Sequence, residues 1–242
     1  MAISSNLYLH DLDRSTLAAL KAIPGFTAVL KGFMKIWSEK QFRIQNMATK
    51  LRINEKQLSK YYDMLSPICE KLGIEVPELY LELNGEPNAY TSGDTKPFIV
   101  MTTGLLEKFP EHLIPTVLAH ECGHIACHHV LYHTMGNIII SGAAGMLEFG
   151  ELITYPIQTA FYKWMRCSEY SADRAAAICD GTTDGVKAEA NVLKAAMHEV
   201  IAEVSAAEDK TAAFYAVLQR LCSEGVDISA MLDQFGSLGY LL

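Results

Sequence analysis

The sequence has 242 residues, 50% of them hydrophobic and 20% charged, with a formal net charge of -8 at pH 7. That is enough chain for one well-buried core. Gly and Pro are too sparse for disorder, and the acidic balance without a basic run excludes a nucleic-acid partner. The six cysteines (Cys69, Cys122, Cys127, Cys167, Cys179 and Cys222) form no C-x-x-C pair, which reads as reduced thiols in a cytoplasmic protein.

In chain order, residues 1–9 lack the basic start and long apolar run of a signal peptide. Residues 13–22 carry apolar side chains at helical spacing until Pro24-Gly25 breaks the pattern. A second helix is expected over residues 27–48; its aromatic-rich beginning, residues 26–37, fits core packing better than a helix lying on a membrane. A third is expected from Asn54, as cap, to Gly73. Residues 78–83 alternate strictly (ELYLEL) and read as a strand. Residues 88–91 and 98–102 read as two more, with turn signals at Asn84-Gly85 and Ser92-Gly93-Asp94, so the three form a small antiparallel sheet. One long helix follows over residues 115–133, a helical excursion over 137–155 and a further helix over 157–179. Residues 180–185 are a loop, and helices over 188–206, 209–223 and 228–235 complete the chain. The most apolar window, residues 138–147, is closed by Glu148 and Glu151 and is half the ~20 residues a spanning helix needs. No integral membrane span is expected, and peripheral membrane contact stays open.

Residues 120–124 read His-Glu-Cys-Gly-His. Side chains four apart share a helical face, so the imidazoles of His120 and His124 can reach one ion. Glu121 sits beside that face, where a carboxylate can take a proton from metal-bound water. Chance produces such a motif in a chain of this length with a probability on the order of 1%. Its apolar helical setting, Leu113-Ile114 before it and Val130-Leu131 after it, makes burial costly unless the polar groups are paired or metal-bound. Positions 127 and 130 are Cys127 and Val130, which rules against the extended metzincin motif. Residues 168–174 read Ser-Glu-Tyr-Ser-Ala-Asp-Arg, which places Glu169 and Asp173 on one helical face. Alone, that pair reads best as a solvated acidic face. Coupled to the upstream motif, Glu169 becomes the third ligand and Asp173 the acceptor for the outer N–H of a ligand histidine. Two histidines and one carboxylate leave a coordination position open, as in a catalytic site holding one zinc ion per chain.

H-E-x-x-H followed by E-x-x-x-D resembles the gluzincins. The run Ser168 to Ala175 resembles the HtpX-like and CAAX prenyl protease family of zinc metallopeptidases. Asn88-Ala89-Tyr90, the strand reaching Met101, and Thr103-Gly104-Leu105-Leu106 are similar too, with a weaker likeness at Leu12-Asp13, Pro24-Gly25-Phe26 and Gln45-Asn46-Met47-Ala48. The resemblance spans roughly residues 10–180 and is strong over 86–178. It implies a zinc metalloendopeptidase that hydrolyses internal peptide bonds of polypeptides. It also implies an edge strand above the zinc, where Asn88, Ala89 and Tyr90 bind extended substrate through its backbone. Membrane-embedded members carry long transmembrane hairpins between the zinc motifs; the short apolar window here implies a soluble, reduced member. The fold implied is α+β: one mainly helical domain over 1–242, with a small antiparallel sheet over the catalytic helix. It divides into a helical part (1–75), the sheet and zinc core (76–180) and a second helical part (181–242).

A donor for the developing oxyanion is also required. His128, His129, His133, Tyr162, Tyr170 and Arg174 are candidates, and helical spacing puts His128 near the metal stripe. Cys122 points away from the His120–His124 face, and Gly123 admits close approach of another segment. Two rival readings remain. One is a latent or inactive zinc-binding module acting as a protein-binding or chaperone-like factor, against which the intact ligands and Glu121 argue. The other is a zinc hydrolase of non-peptide amides, against which a peptide-binding strand argues.

Overall fold

The computed structural model describes residues 2–36, 38–140 and 155–188. Helix α1 (Asp11–Ala22) begins where the His10 ring accepts the backbone N–H of Leu12 at 3.0 Å, with Asp11 and Asp13 in its first turn. Acidic side chains there complement the helix dipole. Gly25, at φ 91°, turns the chain into α2 (Phe26–Ile36). Helix α3 (Glu39–Thr49) follows, so the helix expected over 27–48 is two. Ser38, a residue that favours caps over helix interiors, stands just before α3. Strand β1 (Leu51–Ile53) was not foreseen. Asn54 does not cap a helix; it closes a tight turn with Gln57, and α4 (Ser59–Leu72) starts later and ends at left-handed Gly73.

Strands β2 (Glu78–Glu82), β3 (Ala89–Ser92) and β4 (Phe98–Thr102) join β1 in one sheet of order β1-β2-β4-β3. The α+β expectation holds, but the sheet is mixed rather than antiparallel. β2 runs parallel to β4, with Glu78 opposite Phe98, while β1 and β3 are antiparallel to their neighbours. The reason lies in the connection. Asn84-Gly85 does not fold β3 back on β2, because the hydroxyls of Thr102 and Thr103 hold the segment across the start of α5 (Thr103–Lys108) by donating to the carbonyls of Glu86 and Asn84. Gly104 leaves room there, since a Cβ would collide with the Gly85 carbonyl.

Helices α6 (Ile114–Ala126), α7 (Val130–Ile140) and α8 (Tyr155–Asp180) follow, and after a bend at 181–183, shorter than the loop expected over 180–185, residues 184–188 are again helical. The helix expected over 115–133 is broken at its middle, where His128 adopts φ 59°. Among the described residues two large apolar clusters form, beside a small one of Tyr80, Phe98 and Val100. One joins the sheet, α4 and α6 through Leu65, Leu79, Ile99, Met101, Leu118 and Cys122. The other joins α1, α2, α7 and α8 through Leu20, Phe26, Phe33, Met135, Phe161 and Trp164. The aromatic start of α2 is therefore core. Among the described residues no single helix is long and apolar enough to cross a membrane, and α1 with α2 meets that test only as a pair bent by 89°. Most of the apolar window at 138–147, and the helices expected beyond residue 188, lie outside the described residues.

Candidate metal centre

Helix α6 presents His120, Glu121 and His124, and α8 crosses it closely. Gly123 sets the spacing: a Cβ there would stand 2.8 Å from Ala175 Cβ and 3.0 Å from Ala172 Cα. The crossing brings Glu169 between the two rings, its Oε2 3.0 Å from His120 Nε2 and its Oε1 3.5 Å from His124 Nε2. The two Nε2 atoms face each other at 3.2 Å. One ligand atom from each of the three residues lies within 4.8 Å of the others. Asp173, a turn further along α8, lies 3.0 Å from His120 Nδ1. The donor set suits zinc: two ring nitrogens and a carboxylate oxygen converge, while the outer nitrogen of His120 is engaged by a carboxylate. Cys122, on the other side of α6, is buried with its Sγ 4.0 Å from Cys69 Sγ.

The electrostatics follow from burial against partners. Burial favours neutral His120, yet its hydrogen bonds to the Asp173 and Glu169 carboxylates hold it well above the ordinary imidazole range. Burial likewise pushes His124 down and Glu169 pulls it back above its usual value. Glu169 is the converse: burial favours the neutral acid, and the two rings keep it well below the usual carboxylate range. Glu121 is buried at the same crossing, and the Thr91 hydroxyl donates to its carboxylate. Thr91 belongs to β3, which lies at the sheet edge and packs against α6 and α7. Asn88 precedes that strand, exchanging hydrogen bonds with Thr102, while half-buried Ala89 and Tyr90 pair with Met101 and Val100.

Residues 62–216 match peptidase family M48. The chain belongs to peptidase family M48. It is 36% identical over 172 residues to the plastoglobule-localized metallopeptidase 48 of Arabidopsis thaliana chloroplasts, covering 70% of this chain and 50% of that protein. It is 36% identical over 90 residues to protease HtpX of Legionella pneumophila strain Corby (35% of this chain, 32% of that protein). It is 33% identical over 120 residues to protease HtpX of Pseudomonas fluorescens (48% and 40%). The chain thus spans half or less of the length of these relatives. No solved structure matches it.

The residues considered for the oxyanion separate in space. His128 is not on the metal stripe: α6 ends at Ala126, and His128 is exposed in the left-handed turn that follows. Tyr170 and Arg174 are exposed, and Tyr170 lies against the His10 ring at 5.1 Å. Tyr162 is half-buried on α8. His129 and His133 are buried beside His124 and Glu169. His129 Nδ1 lies 3.0 Å from His124 Nδ1, while His133 Nε2 lies 2.7 Å from Ser168 Oγ and 3.9 Å from Glu169 Oε1. Asp13 of α1, outside the M48 match, completes this shell with its Oδ2 2.8 Å from His129 Nε2. Sequence reading gave no role to Asp13 or Trp164, and placed Thr91 only as backbone of the substrate-binding strand. The available signal for Asp13 was a carboxylate on the buried stripe of an amphipathic helix, shared with Thr16 and Leu20.

Proposed function

We propose that this M48 chain is a zinc metalloendopeptidase that hydrolyses internal bonds of polypeptides. The supporting observation is the convergence of His120, His124 and Glu169 from two crossing helices, with Glu121 alongside and Asp173 behind His120. His120, His124 and Glu169 would hold one zinc ion and leave a position open for water or substrate. When bound, zinc supplies Lewis acidity toward that water and the scissile carbonyl. Glu121 takes the proton of the attacking water at its carboxylate and returns it to the leaving amine. The Thr91 hydroxyl holds that carboxylate beside the edge strand. Asn88, Ala89 and Tyr90 line the same edge, where an extended peptide would add its backbone to β3. Strand addition recognises main chain rather than side-chain identity, which favours polypeptides over non-peptide amides. The five described cysteines are free, which supports a reduced, cytoplasmic setting.

The test is hydrolysis of unfolded casein by zinc-replete protein, with products identified by mass spectrometry. Internal cleavage that a chelator abolishes and zinc restores is the expected result. Stoichiometric zinc without any cleavage would favour the binding-module reading, and no zinc retention would overturn the centre itself.

A further inference from the structure

We propose that Asp13 is a positioning residue for the ligand His124, acting through the imidazole of His129. The proposal rests on the reading of His120, His124 and Glu169 as zinc ligands. Asp13 of α1, His129 of the break between α6 and α7, and His124 of α6 line up: Asp13 Oδ2 lies 2.8 Å from His129 Nε2, and His129 Nδ1 lies 3.0 Å from His124 Nδ1. His124 Nε2 is the nitrogen that faces Glu169 and His120.

Proton positions follow from this order. To ligate through Nε2, His124 must offer a lone pair there and carry its proton on Nδ1. That N–H points at His129 Nδ1, which must therefore accept. Neutral His129 then carries its proton on Nε2 and donates it to Asp13. A carboxylate can only accept, so Asp13 fixes the tautomer of His129 and, through it, that of His124. Each link has one donor and one acceptor, and the scheme needs no charged imidazole.

The far end is itself held rigid. Asp13 Oδ2 also accepts from the Ser171 hydroxyl at 2.6 Å, and Oδ1 accepts from the Trp164 indole at 3.0 Å. Ser171 in turn accepts the backbone N–H of His10 at 2.9 Å. Asp13 and His129 are each 1% exposed, and Trp164 and Ser171 are 0% exposed. The break between α6 and α7 is what allows this. Left-handed His128 folds the chain back, so the His129 N–H bonds the His124 carbonyl at 3.0 Å and its ring returns beneath the helix it just left. The two ligand histidines thus reach a carboxylate in different ways: His120 directly through Asp173, and His124 through His129.

A purely structural tie between α1 and α8 would need an acceptor at position 13 but would not care which nitrogen of His129 holds the proton. Asp13→Asn separates the two. The amide can turn its oxygen to His129 only by setting its NH2 against the Trp164 N–H; turned the other way, it presents a donor to His129 and reverses both tautomers. Zinc affinity is read by competition with a chromophoric chelator, and geometry by the visible spectrum of the cobalt-substituted protein. Asp13→Asn is expected to weaken zinc binding about 10–100-fold and to alter the cobalt spectrum. In a His129→Gln background the same change should add no more than about twofold, since the route is already cut. Nitrogen-15 spectra of histidine-labelled, zinc-loaded wild type provide a readout that does not depend on any variant folding. They should show His124 protonated at Nδ1 and His129 at Nε2. A proton on His129 Nδ1, an unchanged affinity in Asp13→Asn, or additive losses with His129→Gln would overturn the proposal. If wild type binds zinc and Asp13→Asn binds it equally, only this inference fails; if wild type binds none, the functional reading fails with it.

Discussion

Glu121 and Glu169 are two carboxylates at one helix crossing, and their partners divide the work. Glu169 is clamped between two rings that keep it ionised, which the proposed ligand role requires. Glu121 accepts the Thr91 hydroxyl instead, which fixes where its carboxylate sits. Glu121→Gln should therefore keep zinc content and melting temperature and lose about 10²–10⁴-fold in kcat/KM on casein. Retained cleavage in that variant would contradict the assignment. Asp173 acts one step back. Its side chain is 44% exposed against 13% for His120, so water can replace part of what it gives. Asp173→Ala should weaken zinc binding by about tenfold, the low end for an outer-shell partner, measured by chelator competition. Unchanged affinity would remove Asp173 from the site. Within each helix these residues were legible as i, i+1 and i+4 spacings, while the contacts that bring the two helices together join residues 49 and 53 positions apart. Asp13 was not legible in the same way: its bonds to His129 and Ser171 join residues 116 and 158 positions apart, and no local spacing encodes them.

At the scale of elements, the crossing of α6 and α8 decides whether the centre exists. Both helices could be read from period and composition, and their endpoints near Pro115 and Asp180 fell close to expectation. What could not be read was the break at His128 and the parallel pairing of β2 with β4, since each depends on contacts the rest of the fold supplies. Gly123 is the residue through which sequence and packing meet. By helix propensity alone, Gly123→Ala should stabilise the chain by ~1 kcal/mol. The new methyl group would instead press on Ala175 Cβ at 2.8 Å and on the α8 backbone at Ala172 Cα at 3.0 Å. Forcing extra volume into a closed contact costs typically ~1–3 kcal/mol, and here the relief is to push α8 outward. That motion carries Glu169 away from both rings. A lower melting temperature together with weaker zinc binding is expected. A higher melting temperature would show that the contact has more room than its geometry implies.

For the whole molecule, the centre sits where the two apolar clusters meet. The far face of α6 is packed into the sheet-side cluster through Leu118 and Cys122, while α8 is anchored in the other through Phe161, Trp164 and Met165. Helix α8 also lends Ala175 and Ala176 to the sheet-side cluster, so the helix that carries Glu169 is packed into both, and Asp13 of α1 reaches the site from the second. A zinc ion bound by His120, His124 and Glu169 would add a link between α6 and α8 across a crossing that apolar packing already closes. Binding to the folded chain alone stabilises it by ~2.7 kcal/mol when free zinc is 100 times the dissociation constant. For a chain of this size each kcal/mol moves the midpoint by roughly 2–4 °C, so the expected rise is about 5–11 °C over chelator-treated protein. The shift should grow with the logarithm of free zinc, as a binding equilibrium requires, and magnesium should not reproduce it because the donors are imidazoles. Calorimetry on wild type and on His124→Ala, each with zinc and with chelator, makes the comparison. In His124→Ala most of the shift should vanish. Equal midpoints for wild type in zinc and in chelator would mean that the three donors do not close on one ion, whatever their distances.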